Sequence, residues 1–514
     1  MASSAVAPVM LGLAVGIAFI IVFASFLQAT PRQIRSIEPA SMSAVQEQIR
    51  FGNKVQVDAT SHGFDIWQLA LSDKGILYIT GGETVPPPAS GHRDNNYLVY
   101  LTKSEDGGAT FDNTLHMSNS IYSGNPDVKI RGESVYLMWF EHILGDDSEI
   151  FFRKSADGGS SFGPVVNVSG SPYSSGQNDM EVSKDGNVVY AVWSEFYQYS
   201  EPKKSAILFT SSRDGGQNFG PPVALINGTN FACPQIAISE NNSRNDMNVY
   251  VVWRQHPGSE DTMTIFFSVS HDGGRTFGEP VRLRTAYMED FRCPHLVVRG
   301  TDAYLMWSEA GHIRKPYSPS EILAPDSDVI FTAIRDEGRK IAPALNLSRG
   351  IGAFTTEPEM LVADDGDIYV VWRDTIPIID HEDGSINYYG NAEVVFTKSN
   401  DGGRTFSNPV NLSNNLSGSY EPEIAVHGDD IYIIWLESEF PFNAAETMLR
   451  ISNDGGDSFG NTISGITGRM EEPVSRPVII SSYSGDRVFI AWSERPDFND
   501  LNSDAYVLVG YTRE

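Results

Sequence analysis

Ser399-Asn400-Asp401-Gly402-Gly403-Arg404-Thr405-Phe406 decides the fold, because the chain repeats this phrase along most of its length. The pattern Ser-x-Asp-Gly-Gly-x-x-Phe recurs at Ser104–Phe111, Ser155–Phe162, Ser212–Phe219, Ser270–Phe277 and Ser452–Phe459. A worn copy runs from Ile334 through Asp336 and Gly338 to Ile341. Successive copies lie 51 to 65 residues apart, a spacing that signals a repeat architecture. The phrase has a mechanical reading. Asp bonds nearby backbone N–H groups, Gly takes φ > 0, and Phe returns the chain to the core.

Working outward from Asp401, the unit reads as four short strands. Pro358-Glu-Met-Leu-Val is strand A and Asp367-Ile-Tyr-Val-Val-Trp372 is strand B. Glu393-Val-Val-Phe-Thr-Lys398 is strand C, and after the turn Pro409-Val-Asn-Leu-Ser413 is strand D. β-branched and aromatic runs broken by Gly, Asp and Asn carry the strand signal. Strand B ends on Trp139, Trp193, Trp253, Trp307, Trp372, Trp435 and Trp492, and an earlier unit has Ile76-Leu-Tyr-Ile-Thr80 instead. Eight A–B pairs result, beginning near Phe64, Pro126, Asp179, Pro234, Pro294, Pro358, Pro422 and Pro477. Radial packing removes most of the free edges such sheets would expose. The expected fold is all-β, a single β-propeller of four-stranded blades, with eight blades favoured over seven or six. The last unit has a strand C (Ala505 to Tyr511) but no strand D, whereas Phe51-Gly-Asn-Lys-Val-Gln-Val-Asp58 looks like the missing piece. Lys54–Asp58 is therefore expected to pair with Ala505–Tyr511 and close the ring.

Ala5 to Leu27 contains one polar residue, Ser25, and is long enough to span a bilayer. It exceeds the h-region of a signal peptide and follows no Lys or Arg. The reading is an uncleaved transmembrane anchor (1–29), with a cleaved signal peptide as the rival, then a polar tether (30–50) and the propeller (51–514). Arg32 and Arg35 argue for cytoplasmic retention, but a large domain translocates largely regardless of two charges. Asn-x-Ser/Thr sequons at Asn167, Asn227, Asn241, Asn346, Asn411 and Asn415 suggest a glycosylated domain on the extracellular side. The net charge of −29 weighs against nucleic acid and anionic membrane surfaces as partners. The expected partners are the membrane, through the N-terminal helix, and a glycan or protein ligand.

The turn phrase resembles the Asp-box, or bacterial neuraminidase repeat, of the sialidase superfamily, and the resemblance covers nearly all of residues 51–514. In that family the box lies on the C–D turn, at the face opposite the active site. The resemblance thus implies a structural role for Asp106, Asp157, Asp214, Asp272, Asp401 and Asp454, and a functional face built from D–A and B–C loops. The chain departs from known sialidases. They usually have six blades, their Arg-Ile-Pro motif is absent here, and their three arginines, catalytic Asp and Tyr/Glu pair match no motif in this sequence. Because the superfamily includes non-catalytic propellers, a binding module is the leading expectation. An exo-acting, sialidase-like glycoside hydrolase using an arginine cluster and carboxylates is one alternative. A scaffold of a cell-envelope complex is the other.

Several residues are candidates on the functional face. Strand B ends in Trp-x-acid at Glu141, Glu195, Glu309, Asp374, Glu437 and Glu494, with Gln255 as the exception. Recurrence argues for a structural hydrogen bond to the neighbouring blade, against cation binding or paired catalytic carboxylates. Tyr122, Tyr173, Phe231, Phe291, Phe354 and Tyr420 precede strand A, as plugs between blades or as stacking surfaces at the channel mouth. The long loops Glu309–Asp328 and Asp374–Ala392 carry His312, Arg314, Tyr317, His381, Tyr388 and Tyr389. Arg254, Arg373 and Arg495 follow the strand-B Trp, and Arg292 and Arg476 sit near strand-A starts; converging, they would suit an anion. Cys233 and Cys293 occupy one strand-A position in neighbouring blades, which suits a disulfide, free thiols, or a copper or zinc site with His295. Asp364-Asp-Gly-Asp and Asp380-His-Glu-Asp-Gly lack the EF-hand spacing for calcium and read as turns. No cofactor is expected; neither calcium nor copper is supported by a specific motif.

Overall fold

The computed structural model describes residues 49–57, 63–84, 97–143, 147–197, 204–239, 247–256, 262–287, 293–310, 327–348, 354–375, 378–379, 386–387, 392–415, 417–438, 445–468, 470, 472–473, 476–495 and 503–512. The expected transmembrane helix (1–29) lies outside them, as does most of the tether. Among the described residues no helix is long and apolar enough to cross a membrane.

The described residues form eight antiparallel blades. Blades 3 and 4 are the most complete; blade 3 has strands A (Ser174–Val182), B (Val189–Phe196), C (Lys204–Ser212) and D (Val223–Thr229). In the other blades strand D is often reduced to a few residues, such as Leu115–His116 in blade 1 and Val166–Asn167 in blade 2. In blade 7 it is replaced by single bridges from Leu449 to Ile463 and Ala445 to Met470. Blades 4 and 5 are joined by backbone pairing of Tyr287 with Ala310, so their sheets run together.

Blade 8 has strands A (Val478–Ser481), B (Arg487–Arg495) and C (Asp504–Thr512), and the N-terminal segment completes it. Val55 lies opposite Val507 and Gln56 opposite Tyr506. Pairing starts earlier than expected, at Ile49 opposite Thr512. Lys54 pairs with Glu494 and stands 3.5 Å over the Tyr506 ring. The seam therefore has hydrogen-bonded, ionic and cation–π components.

Eight apolar clusters fill the eight interfaces between successive blades, including the one that joins blade 8 to blade 1. The strand-B tryptophans are buried in these interfaces and face the preceding blade. Trp193, for example, packs with Tyr136, Met138 and Phe152 of blade 2.

The repeated turn serves the same joints. Asp401 Oδ1 accepts the N–H groups of Arg404 (2.8 Å) and Thr405 (2.9 Å), and its Oδ2 accepts the Thr405 hydroxyl at 2.6 Å. Ser399 Oγ donates to Asp401 and accepts the Gly403 N–H at 2.8 Å. Gly403 has φ +76°, and a Cβ there would lie 2.5 Å from Phe331 Cζ of blade 5. Phe406 then meets Phe331 edge-on, with ring centroids 4.9 Å apart. The trio recurs as Gly216, Phe152 and Phe219, as Gly274, Phe209 and Phe277, and as Gly456, Phe396 and Phe459. The turn is thus an inter-blade clamp whose second glycine lets one blade's backbone lie flat on the previous blade's aromatic ring. Strand-B tyrosines extend the joint: Tyr78, Tyr136 and Tyr190 donate to the carbonyls of Gly158, Gly186 and Gly273 in the following blade.

Two predictions follow from these joints. Gly216→Ala places a methyl 2.3 Å from Phe152 Cε1, whereas Gly132, also at positive φ, has nothing within 4 Å. In denaturant titration Gly132→Ala should cost about 1 kcal/mol and Gly216→Ala about 3 kcal/mol or more. The second concerns acid. Hydrogen bonds, led by those from Thr110, Asn218 and Ser458, lower the Asp106, Asp214 and Asp454 carboxyls to about 2. Depressed folded values stabilise the protein above the unfolded value of about 4, and that contribution disappears as pH falls towards about 2. Thermal midpoints recorded between pH 5 and pH 2 should fall most steeply in that window.

Candidate functional site

Just inside the face where strand A begins, the inner strands break register. The shift lies between Gly124 and Asp127, Gly176 and Asp179, Ala232 and Gln235, Thr356 and Glu359, and Tyr420 and Glu423. One residue in each bulge takes a positive φ: Asn125 (50°), Gln177 (53°), Cys233 (54°), Glu357 (57°) and Glu421 (50°). Bulges re-aim side chains, and here they turn a polar ring towards the channel.

The ring links blade to blade. Gln177 Oε1 accepts the Cys233 N–H at 2.9 Å, and Glu357 Oε2 accepts the Glu421 N–H at 2.7 Å. Asn125 and Asn178 exchange amide-to-carbonyl bonds of 3.0 and 3.2 Å. Between blades 4 and 5 the link is covalent: Cys233 and Cys293 form a disulfide with Cα atoms 5.1 Å apart.

Of this ring, Asn125, Gln177, Asn178 and the two cysteines line a cavity of ≈ 710 Å³ at the channel mouth, which the ionic part of the ring touches through Arg476. One arc is rich in amides and aromatics: Gln68, Asn125, Gln177, Asn178 and Gln235, with Trp67 and Phe140. Trp67 meets Tyr97 edge-on at 5.2 Å, and a Cβ on Gly82 would lie 2.6 Å from both rings, so only glycine leaves room for them. The other arc is ionic. Arg476 reaches from blade 8 to Glu359 of blade 6 and Glu423 of blade 7, at 3.0 Å each. Arg373 pairs with Glu357 at 2.6 Å and lies over the Tyr420 ring. His295 Nδ1 stands 3.8 Å from Glu359. Among the described residues, Asp127, Glu357, Glu359, Glu421 and Glu423 are the carboxylates set around Lys129, Arg373 and Arg476. The opposite end of the channel has a cavity of ≈ 880 Å³ lined by Arg131, Lys184 and Arg299. There Arg131 and Arg299 cap the carbonyls of Val182 and Val362 in the next blade, a joint-forming role.

The Trp-x-acid residues bond both within their own blades and to the preceding blade, as expected of a structural role. Trp139, Trp193 and Trp307 donate their indole N–H to Glu141, Glu195 and Glu309, at 3.1, 3.1 and 3.3 Å. These acids also collect the loop arriving from the preceding blade, as in Asn119 N–H to Glu141 and Asn415 Nδ2 to Glu437. Glu309 additionally binds Arg284. Asp374 differs: burial first, then the charges of Glu393 and Asp328, push it up to about 7. Arg254, Arg373 and Arg495 occupy equivalent places in blades 4, 6 and 8, opposite Ala232, Thr356 and Glu472. Arg373 is held by Glu357, and the charge of Arg495 acts on Asp65.

The aromatics before strand A divide. Phe231 is buried in the interface of blades 3 and 4 and Tyr420 lies under Arg373, whereas Tyr173 is 44% exposed and pairs with Tyr197. Phe291, Arg292, Tyr317, Tyr388, Tyr389, His312, Arg314, His381, Asn241 and the Asp380 stretch lie outside the described residues. Asp364-Asp-Gly-Asp forms a turn, with Asp365 accepting the Asp367 N–H at 3.0 Å. No group of three or more potential metal ligands occurs among the described residues. Three of the six sequons, at Asn167, Asn346 and Asn411, acquire a physical explanation: Ser169, Ser348 and Ser413 accept the N–H groups of Ile150, Val329 and Val394 and latch strand D to strand C. Ser118 does the same for Val99 without a preceding sequon Asn.

The bulge ring itself escaped the sequence reading. Its signal is a column: Asn125-Pro-Asp, Gln177-Asn-Asp, Cys233-Pro-Gln, Cys293-Pro-His, Glu357-Pro-Glu, Glu421-Pro-Glu and Arg476-Pro-Val. Pro within the column disfavours regular pairing and marks the bulge.

These features define an eight-bladed β-propeller with a polar channel mouth. No family model matches the chain, and no curated protein does. Solved structures with similar folds include a polysaccharide lyase acting on ulvan, at 11% identity, covering 89% of this chain and 96% of that one, with TM-score 0.44. A protein of unknown function from Dyadobacter fermentans is 10% identical, covering 91% of this chain and 100% of that one, with TM-score 0.39. A Hadza microbial sialidase is 13% identical, covering 67% and 72%, with TM-score 0.35. At these identities the likeness concerns the fold alone.

Arg476→Met should leave Glu359 and Glu423 facing each other without their shared cation. Because the arginine is partly exposed, the expected cost is about 1–2 kcal/mol at pH 7. Thermal melts should show a smaller deficit at pH 4, where exposed carboxylates begin to protonate.

Proposed function

We propose that this protein is a membrane-anchored, extracytoplasmic propeller that binds glycans at the channel mouth, favouring neutral or amine-bearing sugars over acidic ones. The observation that carries this reading is the composition of the mouth. Convergent amides from Gln68, Asn125, Gln177, Asn178 and Gln235 sit beside Trp67 and Phe140, in a cavity of ≈ 710 Å³. Amides supply paired donors and acceptors for hydroxyl groups, and aromatic faces stack on the apolar side of a sugar ring. The excess of carboxyls disfavours a carboxylate-bearing substrate. Arg373 and Arg476, two of the arginines expected to grip such an anion, are held by Glu357, Glu359 and Glu423. The apolar run Ala5 to Leu27 and the exposed Asn167, Asn227 and Asn411 support anchoring and an outside location.

The full chain should retain neutral and amine-bearing glycans on an array, and Trp67→Ala should weaken that binding about tenfold or more. Asn178→Ala should act in the same direction. Retention of acidic glycans alone, or release of the fluorophore from a sialoside, would overturn the reading in favour of an anion-directed hydrolase.

A further inference from the structure

One level below the bulge, the inner strands carry a second ring of side chains that each cap a backbone N–H of the next blade. Gln68 Oε1 accepts from Val128 at 3.0 Å, and Gln235 Oε1 accepts from Leu296 at 3.0 Å. Asp127 Oδ2 accepts from Met180 at 2.8 Å, and Asp179 Oδ2 accepts from Ile236 at 2.8 Å. The glutamines perform this joint with a neutral oxygen. A carboxylate is therefore not needed for the fold at this position, yet two neighbouring blades have one.

The two carboxyl groups are also brought together. Asp179 Oδ1 accepts the Met180 N–H at 2.9 Å, the same N–H that Asp127 Oδ2 accepts. Both side chains line the mouth cavity. The surrounding charges are few. Lys129 Nζ lies 3.2 Å from Asp127 and 3.8 Å from Glu181, and Arg131 is 3.6 Å from Glu181. The flanking members of the ring, Gln68 and Gln235, are neutral, and Arg476, which also lines the cavity, is held by Glu359 and Glu423. His295 of blade 5 faces Glu359. Lys129 lies closest to Asp127 but its charge also acts on Asp179 and Glu181, so one lysine stands among three carboxyls.

We propose that Asp127 and Asp179 form a proton-sharing clasp that ties blades 2, 3 and 4 together beneath the channel mouth and makes this arc pH-responsive. Burial, followed by the charge of Asp127, raises Asp179 to about 8. The sign follows. An unfolded Asp ionises at about 4, while folded Asp179 keeps its proton to about 8. Between those values the folded state binds one extra proton, so the clasp's contribution is lost as pH rises and is gone above the folded value. This inference concerns the joint and does not depend on the identity of any ligand.

The test compares the full chain with Asp179→Asn in the Asp374→Asn background, which removes the other carboxyl near neutrality. Between pH 5 and pH 8 the folded-to-unfolded ratio of the parent should fall about tenfold more per pH unit than that of the variant. Equal slopes would overturn the proposal. Should Asp179→Asn fail to fold, infrared difference spectra of the parent between pH 6 and pH 9 decide. Loss of protonated-carboxyl absorption that is diminished by Asp127→Asn is the expected result, and an unchanged band in both proteins would overturn it.

Discussion

A four-stranded sheet with two apolar faces cannot stand alone, and everything in this molecule follows from how each blade covers its neighbour. The contact that governs the spacing is a glycine backbone lying on an aromatic ring. Gly216 on Phe152, Gly274 on Phe209, Gly403 on Phe331 and Gly456 on Phe396 bring successive blades closer than any side chain would allow. A strand-B tryptophan fills the wider part of the same wedge. Eight apolar joints between successive blades, four of them built on this glycine-on-ring contact, close the ring. Interiors are packed too densely for a larger residue to be absorbed at such a joint.

Symmetry supplies the scaffold, and departures from it supply chemistry. The bulge column accepts Asn, Gln, Cys and Glu because its constraint is a backbone one, a link to the next blade that a hydrogen bond or a disulfide satisfies equally. Identity at those positions is left open to selection for whatever enters the channel. The result is a mouth with an amide and aromatic arc on one side and paired ions on the other, built on near-identical strands. The charge of the whole chain, −29, would repel anions before they reached it.

Much of the fold was legible because its determinants are local and repeated. Asp-Gly-Gly specifies a turn by itself, and the seam could be placed by comparing Phe51–Asp58 with Phe406–Ser413. The site was far less legible. Trp-x-acid drew attention through its recurrence, yet its carboxyls are used by indole N–H groups and incoming loops. Arg373 and Arg476 were visible as cations, but their carboxylate partners lie one or two blades away in the case of Arg476, a separation no local pattern encodes. The bulge residues were hidden for a different reason. A positive φ at Gln177 or Glu357 arises from pairing across the blade, and neither residue type announces it.

The closing strand also sets an order of events. Val55 leaves the ribosome long before Val507, its partner, exists. Throughout synthesis the segment Ile49–Gln56 must wait with its backbone unpaired while blades 1 to 7 stack in sequence. Among the described residues, this pairing and the packing of blade 8 on blade 1 join the earliest and latest segments, and their closure carries the largest loop entropy of the fold. Until they form, the assembly has two open edges, and an arc of blades with open edges is the species most exposed to mispairing with another copy.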